Sequence, residues 1–165
     1  MNVVDLPEDV AALIGVEKYA NVSGVVEAGA IRAYAAAIED PNPLYWSETP
    51  IAPPALLSAW NRPLPWAPGG EELTRALELH FQIKERLNLP RAVVATAETV
   101  LHAPIKAGDR VRSAQKLLNI EPLTARKVGV GRYWTIEVSY RCAATGKSFG
   151  VETLRFFAYS PKEPA

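Results

Sequence analysis

The run GRYWTIEVSYRCA, from Gly131 to Ala143, limits the possible folds more than any other part of this chain. As a strand it puts Tyr133, Thr135, Glu137, Ser139 and Arg141 on one face and Trp134, Ile136, Val138, Tyr140 and Cys142 on the other, because side chains alternate across a strand. The second face is apolar and needs a cover. Three more stretches read as strands: AVVATAETVLHAPI and DRVRSAQKLLNI, rich in β-branched residues and separated by KAGD, and SFGVETLRFFAYS, reached through ATGK. The glycines in KAGD and ATGK suit tight connections.

The cover has to come from the first half, which reads as helical to about Leu87. Asp5 and Glu8 have the spacing of a capping box, followed by Val10, Leu13 and Ile14 on one face and Gly15 as the stop. Ile31, Tyr34, Ala35 and Ile38 recur at i, i+3, i+4 and i+7, which predicts a helix from Ala28 to Glu39. Pro54 suits the first turn of a third helix over PPALLSAW, with Leu56, Leu57 and Trp60 as its bulk. In EELTRALELHFQIKERL the residues Leu77, Leu79, Phe81 and Ile83 alternate as in a strand, yet length, composition and the Glu71/Arg75 pair favour a helix. Helices followed by an antiparallel sheet make an α+β domain. A chain of 165 residues fits one such domain, 1–165, with 160–165 as a polar, flexible tail.

Eighteen basic and eighteen acidic residues give a formal net charge of zero, whereas a nucleic-acid partner calls for a basic face. Cys142 is the one cysteine, so neither an internal disulfide nor a cysteine zinc cluster is available, and a reducing compartment is the simpler reading. Cys142 sits on the apolar strand face and reads as core rather than as a nucleophile. The start MNVVDLPEDV lacks the basic lead and apolar run of a signal peptide. No apolar stretch approaches the ~20 residues that cross a bilayer. The expectation is a cytoplasmic protein whose partners are neither nucleic acid nor membrane.

Directly after the second predicted helix comes EDPNPLYW, Glu39 to Trp46. Asp40, Asn42 and two prolines are turn-forming residues, so a corner is one reading and a functional site another. Tyr45, Trp46, Trp60 and Trp66 belong to a stretch that holds eight of the fourteen prolines, between Pro41 and Pro68. That composition fits a rigid loop on the core, or a stiff apolar wall for a ligand. His102, beside Pro104, reads either as a structural histidine bonded to backbone or as a site residue, and His80 has less claim. Lys106, Arg110, Arg112, Arg126, Lys127 and Arg132 read as solvated surface, or alternatively as a phosphate-holding set.

Four blocks follow one another in order: IRAYAAAIEDPNPLYW, IAPPALLSAW, HAPIKAGDRV and GVGRYWTIEVSYRCAATGKSFGVETLRFF. Together, over about Gly24 to Phe157, they resemble the MaoC-like acyl-CoA hydratases and dehydratases, and more narrowly the N-terminal MaoC-like group. The resemblance implies the hotdog fold, an antiparallel sheet wrapped around a long helix, assembled as dimers. It also implies hydration of a 2-enoyl-CoA or dehydration of a 3-hydroxyacyl-CoA, with no cofactor and no metal. Coenzyme A then arrives as part of the thioester substrate. Such chemistry needs a base at the water, an acid at the α-carbon and donors for the enolate oxygen. In this fold, backbone N–H groups at the start of the covering helix commonly supply those donors.

Active members carry D-x-N-P-x-H after a helix. Asp40, Asn42 and Pro43 match the aspartate, asparagine and proline, while Tyr45 stands where the histidine belongs. A histidine near pKa ~6.5 exchanges protons at neutral pH, whereas a tyrosine near ~10 is about a thousandfold short of ionised at pH 7. Losing a general base typically costs ~10²–10⁴ in rate. By resemblance, then, Asp40 and Asn42 are the catalytic candidates, and Tyr45, Trp46, Ala55, Leu57, Trp60 and His102 are the substrate-binding ones. His102 and Tyr45 are also the residues that would stand in for the missing histidine. The chain looks like the acyl-pocket-forming subunit of an asymmetric pair whose partner, a second hotdog subunit, supplies the histidine. It particularly resembles the partner-type subunit of hydratases acting on bulky steroid side-chain thioesters. A homodimer, and a non-catalytic hotdog that binds acyl-thioesters or serves assembly, are the alternatives. Thioesterase ranks last, because DPNPLYW does not match the acid-bearing helix of those enzymes.

Overall fold

The computed structural model describes residues 5–62, 68–69 and 76–161. Within them the chain forms α1 (Glu8–Ala11), β1 (Glu17–Val25), α2 (Ala28–Ala37), α3 (Pro43–Trp46), α4 (Glu78–Arg86), β2 (Arg91–Leu101), β3 (Arg110–Ile120), β4 (Thr124–Arg126), β5 (Gly129–Cys142) and β6 (Ser148–Pro161). One sheet runs in the order β1-β3-β5-β6-β2, with β4 added to β5. Every neighbouring pair in it is antiparallel. The KAGD segment turns the chain as expected, with Gly108 at φ 95°. The strands on either side of it do not pair with each other: β2 pairs with β6, and β3 with β5 and β1.

The alternation read from Gly131–Ala143 holds in detail. Trp134, Ile136, Val138 and Tyr140 are buried, while Tyr133, Thr135, Glu137 and Ser139 are half-buried. Helix α4 covers this face with Leu79, His80 and Ile83, all buried, and Leu79 N–H donates to Gln115 Oε1 of β3 at 3.1 Å. The His80 ring lies 4.1 Å from Phe156 and 5.4 Å from Trp134, centroid to centroid. Helix α2 buries Ile31 and Ala35. Val10, Ile31, Leu79, Ile83, Leu117, Trp134 and Ile136 are the centre of the core.

The covering helix is nine residues long, Glu78–Arg86, and the Glu71/Arg75 pair lies outside the described residues. Four expectations about the first half need correction. Asp5 and Glu8 form no capping box, since Pro7 occupies the N-cap of α1 and makes no side-chain cap bond. Helix α2 stops at Ala37. The segment PPALLSAW forms two 3₁₀ turns, Pro54–Leu56 and Ala59–Asn61, in place of a helix. A nine-residue strand, β1, lies where only helices were expected. It is an edge strand with Ser23 as its single buried residue, and two register shifts break its pairing with β3. An edge strand so irregular carries no period-2 signal to read.

At the other edge lies β2, exposed almost throughout, including Val93, Val94, Val100 and Leu101. No helix among the described residues is long and apolar enough to cross a membrane.

Candidate functional site

The EDPNPLYW segment starts where α2 ends. Asp40 N–H bonds to Ala35 O at 2.9 Å and Glu39 N–H to Ala36 O at 3.2 Å. This is a Schellman closure, and its left-handed position is filled by Glu39 at φ 55°. Glycine is the residue that adopts that conformation without cost, so a non-glycine here stores roughly 1 kcal/mol of strain. The reversal delivers Asp40 and Asn42 into a second turn. Asn42 N–H donates to Asp40 Oδ1 at 2.9 Å, and Leu44 N–H to Asn42 Oδ1 at 3.1 Å. Asn42 thereby caps α3, with Pro43 at its first position. The Trp46 indole N–H closes back on Asp40 O at 2.9 Å. Both motif side chains are therefore engaged in the turn chemistry that their residue types favour.

The turn is fixed to the rest of the fold at two points. Arg32 Nη2 donates to Ser47 O at 2.9 Å, tying the exit of α3 to α2. Next, Ile51 pairs with Lys106 as an isolated bridge, and Ala52 N–H donates to Ile105 O at 2.8 Å. This second tie sets the motif opposite the segment that follows β2. Between them opens a cleft of about 300 Å³ with a wall of Asn42, Tyr45, Pro53, Leu57, Leu101 and Ile105. Most of that lining is apolar. Leu57 and Tyr45 are buried, and the prolines make this side stiff. Gly150 is required beneath it, since a Cβ there would meet Val100 O at 2.7 Å and Leu57 Cδ2 at 2.9 Å.

The site residues read from the sequence distribute unevenly about this cleft. Asn42, Tyr45 and Leu57 line it. Asp40 is half-buried behind Asn42 and is not part of the lining. Trp46 is exposed and faces its own turn. Ala55 lines a neighbouring hollow together with Leu57 and Leu101. Trp60 packs on the core. His102 is exposed and shares a 2.7 Å hydrogen bond between Nδ1 and Ser148 Oγ; Leu101 and Ala103 on either side of it, rather than His102, line the cleft. His80 is a core residue, and burial, with Lys84 second, depresses its pKa to about 4. Trp66 lies outside the described residues.

Among the six basic residues, Arg110, Arg112, Arg126 and Arg132 have protein partners: Ser23 O, Glu17, Tyr133 Oη, and the carbonyls of Glu121 and Asp5. Lys106 is exposed next to Ile105 at the cleft wall, and Lys127 is exposed between β4 and β5. Cys142, expected in the core, is half-buried at the end of β5, and hydrogen bonding to Thr145 lowers its thiol pKa. The start of the covering helix also differs from the donor site that the fold often provides. Leu79 N–H is taken by Gln115, and the N–H groups of His80 and Phe81 bond to Leu77 O.

Residues 12–143 match the family model described as the FAS1-like dehydratase domain region. The chain belongs to this family. The MaoC-like resemblance carried by the sequence blocks therefore holds. A probable enoyl-CoA hydratase alpha subunit of Thermomonospora curvata is 28% identical to this FAS1-like dehydratase domain over 151 residues, covering 81% of this chain and 44% of that protein. The chain thus spans less than half the length of that curated relative.

Among solved structures, one chain of the ChsH1-ChsH2 complex from Mycobacterium tuberculosis matches with a TM-score of 0.75 at 17% identity, over 95% of this chain and 92% of that one. A chain of the C-terminally truncated HadBC (3R-hydroxyacyl-ACP dehydratase) complex from the same organism matches with a TM-score of 0.56 at 14% identity, over 88% and 97%. At such identities the likeness shows the fold, which is the hotdog. Both of these neighbours are complexes of hotdog chains.

Proposed function

We propose that this protein is the acyl-pocket-forming component of a 2-enoyl-CoA hydratase, or 3-hydroxyacyl-CoA dehydratase, and that a partner hotdog subunit supplies the catalytic histidine. The observation that carries this reading is the cleft beside the motif: its wall includes Asn42 and Tyr45, with tyrosine where active members place the base. An apolar cleft of this size suits an acyl chain. Two further observations agree. The Asp40 and Asn42 side chains already accept hydrogen bonds from the turn, and the described first-turn N–H groups of Leu79, His80 and Phe81 are occupied rather than free for an enolate oxygen.

On this reading the partner's histidine takes a proton from water as the oxygen adds to the β-carbon. The negative charge moves to the thioester oxygen, and a proton returns to the α-carbon. The chain described here contributes shape: it holds the acyl group against Leu57, Pro53 and Leu101 so that the double bond is presented at the subunit boundary. The exposed β2 edge beside Leu101 is the place for that boundary, because an unpaired strand edge is usually covered.

Filling the cleft tests the proposal. Leu57→Trp puts an indole into the space and is expected to weaken binding of a saturated acyl-CoA thioester by about tenfold or more, while Leu57→Met, of similar volume, stays within a few-fold. Equal affinity of both variants and the wild type, measured by isothermal titration calorimetry, would place the ligand elsewhere.

A further inference from the structure

The inner face of the sheet is apolar around α4 but not beyond it. Glu152 of β6 pairs with Val138 of β5 and Thr99 of β2, and it is half-buried on the same strand face as Leu154 and Phe156. Tyr140, on the neighbouring strand, donates its hydroxyl to Glu152 Oε2 at 2.6 Å. The neighbours of Glu152 on this face are Val138, Leu154 and Ala97. These residues line a second cavity, of about 340 Å³, with Asn61, Arg62 and Ser113 on its far side.

Asn61 adds a buried amide to the same cavity. It is 9% exposed, and its Nδ2 donates to Asn21 O, Val111 O and Ser113 Oγ. Two of those acceptors are carbonyls, so exchanging the amide's N and O would set oxygen against oxygen; the network fixes the orientation. That leaves Asn61 Oδ1 buried at the cavity with no partner among the described residues. Such an orphaned acceptor calls for a donor. Glu152 has acceptor capacity to spare, and Ser113 Oγ, having accepted from Asn61, keeps its own hydrogen to give. Tyr140 remains a neutral phenol, since burial and then the bond to Glu152 push its pKa well above the usual range.

The two cavities are linked by their walls. Leu57 and Leu101 line the motif cleft and also a hollow of about 260 Å³ that includes Ala55, Thr99 and Glu152. Glu152 then lines the polar cavity. Leu57 and Leu101 on one side and Glu152 on the other are thus the walls that separate the motif cleft from the cavity of Tyr140 and Asn61.

We propose that this polar cavity is the distal end of the acyl site, and that it selects a thioester whose far end carries a hydroxyl group. The proposal rests on the acyl-CoA reading above. A hydroxyl gives its hydrogen to Asn61 Oδ1 or Glu152 and accepts from Ser113, whereas an alkyl end leaves Asn61 Oδ1 desolvated and unpaired.

The test is calorimetric titration of the full chain with a ladder of saturated acyl-CoA thioesters of increasing length, each in its ω-hydroxy and its plain alkyl form. Short members of the two series are expected to bind alike. At the length that reaches the cluster, the ω-hydroxy form is expected to bind about tenfold more tightly. Glu152→Leu and Tyr140→Phe each reduce that preference, and Glu152→Gln, which still offers a polar end, retains part of it. Equal affinity of the two forms at every length in the wild-type protein would overturn the distal site and leave the acyl-CoA reading standing. So would a preference that survives both Glu152→Leu and Tyr140→Phe. Binding of no thioester at all would overturn both.

Discussion

Trp134→Ala is expected to destabilise the protein by about 3–5 kcal/mol, the upper range for truncating a buried side chain. Trp134 is fully buried and has the greatest volume of the fully buried side chains among the described residues. It lies on β5, the strand that pairs with β3, β4 and β6, and it meets the His80 ring of α4. Truncation opens a cavity at the junction of sheet and covering helix, where β3 and β6 on either side of Trp134 are held by the sheet ladder and resist collapse into it. Trp134→Phe separates volume from polarity: Trp134 Nε1 has no partner among the described residues, so phenylalanine sacrifices no hydrogen bond and should cost well under half as much. Urea denaturation followed by far-ultraviolet circular dichroism reads both. A loss below about 1 kcal/mol for Trp134→Ala would mean that the sheet–helix junction is not the centre of the core.

The second large effect is a loss of stability in acid that originates at His80. Its pKa in the folded protein is about 4 against an ordinary 6.5, because burial disfavours the imidazolium and Lys84 adds a like charge. Below about pH 6.5 the unfolded chain takes up a proton that the folded protein refuses. Stability therefore falls as the pH drops from about 6.5 to about 4, then levels off with respect to this group. The total is on the order of 3 kcal/mol, from ~1.4 kcal/mol per pKa unit. Carboxylates contribute their own acid sensitivity, so the informative quantity is the difference between the wild type and His80→Phe, whose ring fits between Phe156 and Trp134, or His80→Gln if phenyl overpacks. That difference should shrink steadily between neutral pH and about pH 4. Parallel curves would contradict the assignment.

The sheet was legible where burial on one face imposed a period of two. Trp134 through Tyr140 gave the clearest pattern, and β2, β3 and β6 followed from their β-branched residues and the turn glycines. The edge strand β1 was not legible, because an edge with one buried residue has no alternation to show. The 3₁₀ turns at Pro54–Leu56 and Ala59–Asn61 were mistaken for a helix because 3₁₀ and α turns share their starting signals. For the site, two residues of EDPNPLYW, Asn42 and Tyr45, line the cleft, while Asp40 and Trp46 do not. The sequence could not tell that the Asp40 carboxylate turns back onto Asn42 N–H, since the same residue types serve turns and catalysis. The polar cluster was invisible for a different reason. Ser113, Tyr140 and Glu152 are far apart along the chain and become neighbours only through the register of β3, β5 and β6, and Asn61 joins them from the second 3₁₀ turn through its bonds to Asn21 O, Val111 O and Ser113 Oγ. Glu152 gave one faint signal: a lone acid within SFGVETLRFFAYS, on the same alternation as Leu154 and Phe156.

The measurement closest to the central claim is hydration of a panel of 2-enoyl-CoA thioesters by the purified protein alone, with Asp40→Asn beside it and thioester binding measured on the same samples. The expected result is binding without turnover in both proteins: the cleft is present, and the base at position 45 is a tyrosine some thousandfold short of ionised at neutral pH. Adding a histidine-bearing hotdog partner should then raise the rate by roughly 10²–10⁴. Turnover by the wild-type protein alone that disappears in Asp40→Asn would contradict the account, showing that Asp40 works as the base without any histidine from a partner.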